Sequence, residues 1–147
     1  MRMQSSQANC GSTAVYNSAQ AVGKSQITLD ECEKACEVSA TEGTSTKKLL
    51  AGIKTVGLKL AYEIKEARDD VSILLLKEWL RRGGVAALAV DGDSHWVSCI
   101  GVSGARYLVA DSDDSELVLS YSEGELLQRW QNPGAKRKYY GAIITNA

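Results

Sequence analysis

The sequence predicts an α+β fold, with N-terminal helices packed on a C-terminal antiparallel β-sheet. Three observations predict it. Up to Gly57, apolar residues recur at helical spacing behind recognisable caps. Beyond Gly84, apolar runs of strand length are separated by Asp-Gly and Ser-Gly turns. Helices gathered in one half and strands in the other is the order of α+β rather than of alternating βα units.

The first helix is expected over Gly11–Val22, with Ala14, Val15, Ala19 and Val22 near helical spacing and Gly23 as its C-terminal cap. Thr28-Leu29-Asp30-Glu31 is a capping box, in which a hydroxyl and a carboxylate three residues on satisfy two orphan N–H groups. It opens a second helix through about Val38. Gly43-Thr44-Ser45-Thr46 opens a third, with Leu49, Leu50, Ile53 and Val56 on one face and Gly57 at its end. Leu58, Leu60, Tyr62 and Ile64 alternate with polar or small residues, which predicts a strand with one buried face. Asp69–Arg82 reads as a fourth helix closed by Gly83-Gly84. Val85–Val90 is an apolar run that reads as a buried strand, and Asp91-Gly92-Asp93 is a turn. Strands follow at His95–Val102 and Arg106–Ala110, joined by Ser103-Gly104, and a short one at Leu117–Ser120. Ser122-Glu123-Gly124-Glu125 is a second capping box, opening a helix to about Trp130, and Tyr139–Thr145 closes the chain as a strand.

At 147 residues the chain reads as one domain, residues 1–147, large enough to bury a core without disulfides or metal. A net charge of -1 gives no basic field for nucleic acid or an anionic membrane. The longest apolar runs are too short to span a bilayer, and Met1-Arg2-Met3-Gln4 shows no signal peptide. The expectation is a cytoplasmic protein, or a domain of a larger chain. Cys10, Cys32, Cys36 and Cys99 are expected to be reduced thiols, because their spacing does not suggest a disulfide framework.

The chemistry centres on Cys10, at the head of the first helix, and on His95, the only histidine, at the start of a strand. A helix N-terminus and an imidazolium are the surroundings that stabilise a thiolate, the nucleophilic form of cysteine. A buried structural cysteine is the bland alternative for Cys10, and a satisfied core or edge residue is the bland alternative for His95. Asp111 ends the strand that pairs with the His95 strand across Ser103-Gly104, and a regular hairpin sets it beside His95 as the acceptor for the second ring nitrogen. Asp111, Asp113 and Asp114 also read as solvated turn residues. Asp111, Asp113 and Ser115 alternate as in a calcium loop, but no glutamate stands where such a loop needs one, so no metal is expected. Gln4 lies six residues before Cys10 and can donate to the oxyanion formed when the thiolate attacks a carbonyl; Gln7 is the rival donor.

These motifs, in order along nearly the whole chain, resemble peptidase family C39 of the papain-like clan, the bacteriocin-processing or double-glycine peptidases. The resemblance rests on Gln4 with Cys10-Gly11, on Gly43-Thr44-Ser45 with Leu49-Leu50, on Gly83-Gly84-Val85-Ala86, on His95-Trp96-Val97 through Gly101, on Val109-Ala110-Asp111, and on Ser122-Glu123 to Trp130. It implies a papain-like fold and acyl transfer to water through a thioester. Cys10 would be the nucleophile, His95 the general base and acid, and Asp111 the residue that orients His95. Gln4 and the Cys10 N–H would form the oxyanion hole. A peptide or protein is the implied substrate, cleaved in this family after a Gly-Gly leader, often by a domain of an ABC exporter; no cofactor is implied.

Two other readings use the same residues. A Cys-His-Asp site also runs deamidation, transglutamination or other acyl transfer, since the acceptor decides the outcome. A catalytically silent peptide-binding module could keep the fold, but has no need of all three residues. Cys32 and Cys36 lack matching metal ligands and are expected to be structural. Cys99 is expected near the site, sharing a face with His95 and Val97, and Trp96 either lines the cleft or packs in the core.

Overall fold

Small residues let the first helix lie deep in the molecule. Helix α1, Cys10–Ala21, buries Cys10 through Val15 without a break, and Ala19 as well. Gly23 takes a left-handed φ of +90° just beyond it, the conformation that ends a helix at least cost in glycine. The computed structural model describes residues 10–37, 44–92, 95–111, 118–132 and 138–146. Gln4 and Gln7 lie outside them.

Helix α2, Leu29–Ala35, begins at the expected capping box, with both Thr28 and Glu31 bonds made. It stops before the expected Val38: Cys36 is the C-cap and Glu37 turns to a φ of +52°, while Val38 is outside the described residues. Helix α3, Thr46–Thr55, is capped by the Ser45 hydroxyl on the Lys48 N–H. Strand β1, Lys59–Glu66, is followed by α4, Asp69–Arg81, and by β2, Val85–Val90. Strands β3, His95–Ser103, and β4, Arg106–Ala110, form the expected hairpin, with Gly104 at a φ of +60° in its turn. Strand β5, Val118–Ser122, runs into α5, Glu123–Trp130, whose capping box is complete, and β6, Tyr139–Thr145, closes the fold.

The six strands form an antiparallel sheet in the order β1-β6-β2-β3-β4-β5. Its central strands alternate between two cores. Val85, Ala87 and Ala89 of β2 face α1, α2 and α3, with Val15, Leu49, Ile53 and Tyr140. Ala86, Leu88 and Val90 face α4 and α5, with Leu76, Leu126 and Trp130. The helices thus cover both faces of the sheet. Among the described residues no helix is long and apolar enough to cross a membrane.

Strand β1 departs from the expected single buried face. The register slips between Leu60 and Tyr62, so Leu58 and Leu60 pack on the α3 side while Ile64 packs on the α4 side. An extra residue in a strand moves every following side chain to the other face. Tyr62, 41% exposed, then stacks on Trp79 of α4 at 6.1 Å between centroids.

Gly11 is needed for close approach rather than for a special φ. A Cβ there would run into the Thr44 side chain, and Thr44 is held in place by its carbonyl, which accepts from Trp96 Nε1 at 2.8 Å. We expect Gly11→Ala to cost about 1–3 kcal/mol in denaturant melts, the usual penalty for forcing atoms into a packed site. An unchanged midpoint would show that Thr44 can give way.

Candidate active site

The site is assembled from two sides of the sheet. Cys10 is the first residue of α1, and no carboxylate stands in the first turn of that helix. Cys10 belongs to the core on the α1 side. His95 is the first residue of β3, 6% exposed. Its Nε2 lies 2.8 Å from Asp111 Oδ1, and Cys10 is near enough to the ring to raise its pKa. With Nε2 committed to Asp111, Nδ1 is the nitrogen left for the thiol. The structure therefore brings Cys10, His95 and Asp111 together. Gln4, the fourth expected site residue, lies outside the described residues.

The contact between His95 and Asp111 does not come from a regular hairpin. Gly101 pairs with Leu108, but beyond a register slip between Cys99 and Gly101, Ala110 pairs with Ser98. One step further, Asp111 occupies the position that faces Val97 rather than His95. Without the slip Asp111 would share the face of Ser98, which points to α1. With it, Asp111 shares the face of Val97 and His95, and reaches the ring along the diagonal.

The electrostatics follow from this burial. Desolvation pulls the His95 pKa down. The hydrogen bond and charge of Asp111, with a further contribution from Cys10, outweigh it and push the value up to about 9. The imidazole is therefore protonated at neutral pH. Cys32, Cys36 and Cys99 are each fully buried, and each is pushed up to about 12, mainly by burial. All four cysteines are free thiols. Cys32 and Cys36 pack under α3, where Cys36 Sγ fills the space a Cβ on Gly52 would need. Cys99 is buried in the core on the α4 and α5 side, across the sheet from Cys10, rather than beside it. Trp96 packs in the core, edge-on to Tyr140 at 5.9 Å.

Two supports were not legible in the sequence. Ser98 Oγ donates to the Ala14 carbonyl at 2.7 Å and lies 2.6 Å from Ser18 Oγ, which ties α1 to β3 a few residues from both Cys10 and His95. Arg129, in the last turn of α5, pairs with Asp111 Oδ2 and with both oxygens of Asp91. A serine in an apolar strand and an arginine at a helix end carry no motif that marks them; only the folded register does. We expect Ser98→Ala to lower stability by about 1–3 kcal/mol, because it strands the buried Ser18 hydroxyl. Ser18→Ala in addition should recover part of that loss, and a double variant less stable than Ser98→Ala would exclude the tie.

No family model matches the sequence, and no curated protein matches it. Solved structures match in fold. The peptidase domain of Streptococcus ComA, a bi-functional ABC transporter of a quorum-sensing pathway, aligns with a TM-score of 0.73 at 15% identity, over 99% of this chain and 97% of that one. A double glycine motif protease from an AMS/PCAT transporter, solved with its leader peptide, aligns with a TM-score of 0.65 at 16% identity, over 97% of this chain and 89% of that one. The peptidase domain of Streptococcus mutans ComA gives 0.64 at 12% identity, over 99% and 98%. The chain therefore has the fold of these peptidase domains, the papain-like, C39-type fold that its motifs resemble.

Proposed function

We propose that this chain is a cysteine peptidase that cleaves a peptide bond through Cys10, His95 and Asp111. One observation carries the reading: in a C39-type fold, the residue at the head of α1 is a buried cysteine that acts on the one histidine, and that histidine is hydrogen-bonded to a buried carboxylate.

The chemistry runs in two halves. The Cys10 thiolate attacks the substrate carbonyl carbon, a C–S bond forms, and the carbonyl electrons move to oxygen. Cys10 opens α1, so its N–H has no acceptor within the helix and is available to that oxyanion. Gln4 is proposed as the side-chain donor beside it. The intermediate collapses, the C–N bond breaks, and the leaving amine takes the proton from His95 Nδ1. Water then attacks the thioester and gives a proton back to Nδ1. The C–S bond breaks, releasing a carboxylic acid that ionises to solvent and restoring the thiolate–imidazolium pair. Asp111 holds Nε2 throughout. The substrate proposed first is a peptide with Gly-Gly before the scissile bond, the specificity named for one of the structures that shares this fold.

A peptide library that includes Gly-Gly sequences, incubated in H₂¹⁸O, tests the reaction. Hydrolysis should place one ¹⁸O in each new C-terminus; transfer to an added amine without ¹⁸O would make the chain an acyltransferase, and no product of either kind would leave a binding module. The pH profile carries a further expectation. Amine departure needs the imidazolium, so peptide turnover should fall as pH rises through about 9, where His95 loses its proton. Alkylation of Cys10 by iodoacetamide needs no acid and should not fall there. A parallel fall in both would remove His95 from the acid role.

A further inference from the structure

The chemistry above uses Cys10, His95 and Asp111, and leaves a partly buried ion cluster behind them without a role. The Arg129 side chain is 21% exposed and Asp111 only 4%. Arg129 donates from Nε and Nη2 to the two oxygens of Asp91 at 3.0 and 2.9 Å, and from Nη1 to the Tyr121 hydroxyl at 3.0 Å. Nη1 also pairs with Asp111 Oδ2. The Asp91 N–H donates back to the Arg129 carbonyl at 3.1 Å, and Asp91 holds a left-handed φ of +53° in the turn that leads to His95. One guanidinium thus joins the turn before β3, the end of β4, and β5.

The two oxygens of Asp111 are divided by this arrangement: Oδ1 serves His95 and Oδ2 serves Arg129. The terminal torsion of a carboxylate is soft. A planar fork fixed on Asp91 removes that freedom, and an ammonium could not span the same acceptors in one plane. We propose that Arg129 is a positioning residue for the Cys10–His95 pair, locking Asp111 Oδ1 onto His95 Nε2 so that Nδ1 stays turned to Cys10. The proposal rests on the peptidase reading for its consequence in catalysis, though not for its consequence in the ring itself.

Charge gives it a signature that mere scaffolding lacks. Among the described residues, the groups that act on the His95 ring are Cys10 from α1 and Asp111 from the end of β4. Behind Asp111 stand Arg129 from α5, Asp91 from the turn after β2, and Tyr121 from β5. Arg129 offsets the charge that Asp111 presents to the ring, and Asp91 offsets Arg129. Removing one or the other should therefore move His95 in opposite directions.

His95 is the only histidine, so its ring resonances report on it alone in NMR titrations of the full chain. Arg129→Met should raise its midpoint and Asp91→Asn should lower it, each by about half to one unit, as for a nearby charge in a partly buried cluster. Arg129→Lys should stay near the parent. With the cleaved library peptide as substrate, Arg129→Met should lower kcat by about tenfold or more with little change in KM, the pattern of lost general acid–base alignment, and Arg129→Lys should recover part of it. Midpoints that stay fixed in both Arg129→Met and Asp91→Asn, or that move the same way, would overturn the proposal, as would parental kcat in Arg129→Met. Should Arg129→Met not fold, Asp91→Asn and Arg129→Lys carry the same decision. A parent that cleaves nothing would sink the peptidase reading instead, and the titrations would still decide whether Arg129 acts on His95 through Asp111.

Discussion

Cys10→Ala and His95→Ala each lower peptide turnover by about 10,000-fold or more, and the double variant is no slower than either alone; this is the expected result if the two residues act as one unit. Alanine at position 10 leaves no atom to form the thioester. Alanine at position 95 leaves no group to carry a proton to the departing amine, and removes the positive charge beside the thiol. Once either is gone the other has nothing left to contribute, so the losses do not add. Losses that multiply would mean that Cys10 and His95 act independently. Both variants should keep the parental fold, since the α1 side of the core is built mainly from Val15, Leu49, Ile53 and Ile144.

Asp111→Ala should lower turnover by about 100- to 10,000-fold, with the His95 titration falling from about 9 back toward its ordinary range. The carboxylate supplies the acceptor for Nε2 and the largest favourable contribution to the imidazolium. Asp111→Asn should be impaired as well, for a reason specific to this cluster. An amide offers one acceptor, and both His95 Nε2 and Arg129 Nη1 require one. Whichever way the amide turns, a donor faces a donor. Either substitution should also cost about 1–2 kcal/mol of stability, because a half-buried guanidinium loses one of its two carboxylates while Asp91 retains it. Parental turnover in Asp111→Asn would show that His95 is oriented by something else.

Much of this could be read from the sequence, and the parts that could not share a physical cause. Thr28 and Ser122 announce their helices because a capping box is local chemistry, complete within four residues. Val85–Val90 announces a strand buried on both faces because it is apolar without alternation. The juxtaposition of Cys10 with His95 was suggested by residue types at a helix start and a strand start. The register slips in β1 and β3 were invisible, because nothing in Ala61 or Ile100 marks an extra residue. Yet the slip in β3 turns Asp111 toward His95. Arg129 was invisible for a related reason: its partners Asp91 and Asp111 come from separate turns and strand ends, and only the sheet order brings them to the end of α5. Local signals specify elements; long-range pairing specifies the geometry between them.

Activation of the Cys10 nucleophile by His95 can be read in one experiment. The most direct measurement is the second-order rate at which a peptide carrying a thiol-directed electrophile labels the folded protein at neutral pH, with the modified residue located by peptide mapping. One label is expected, on Cys10, absent in Cys10→Ala and at least about tenfold slower in His95→Ala. Labelling of Cys10 in His95→Ala as fast as in the parent, or equal labelling of Cys32, Cys36 and Cys99, would contradict it.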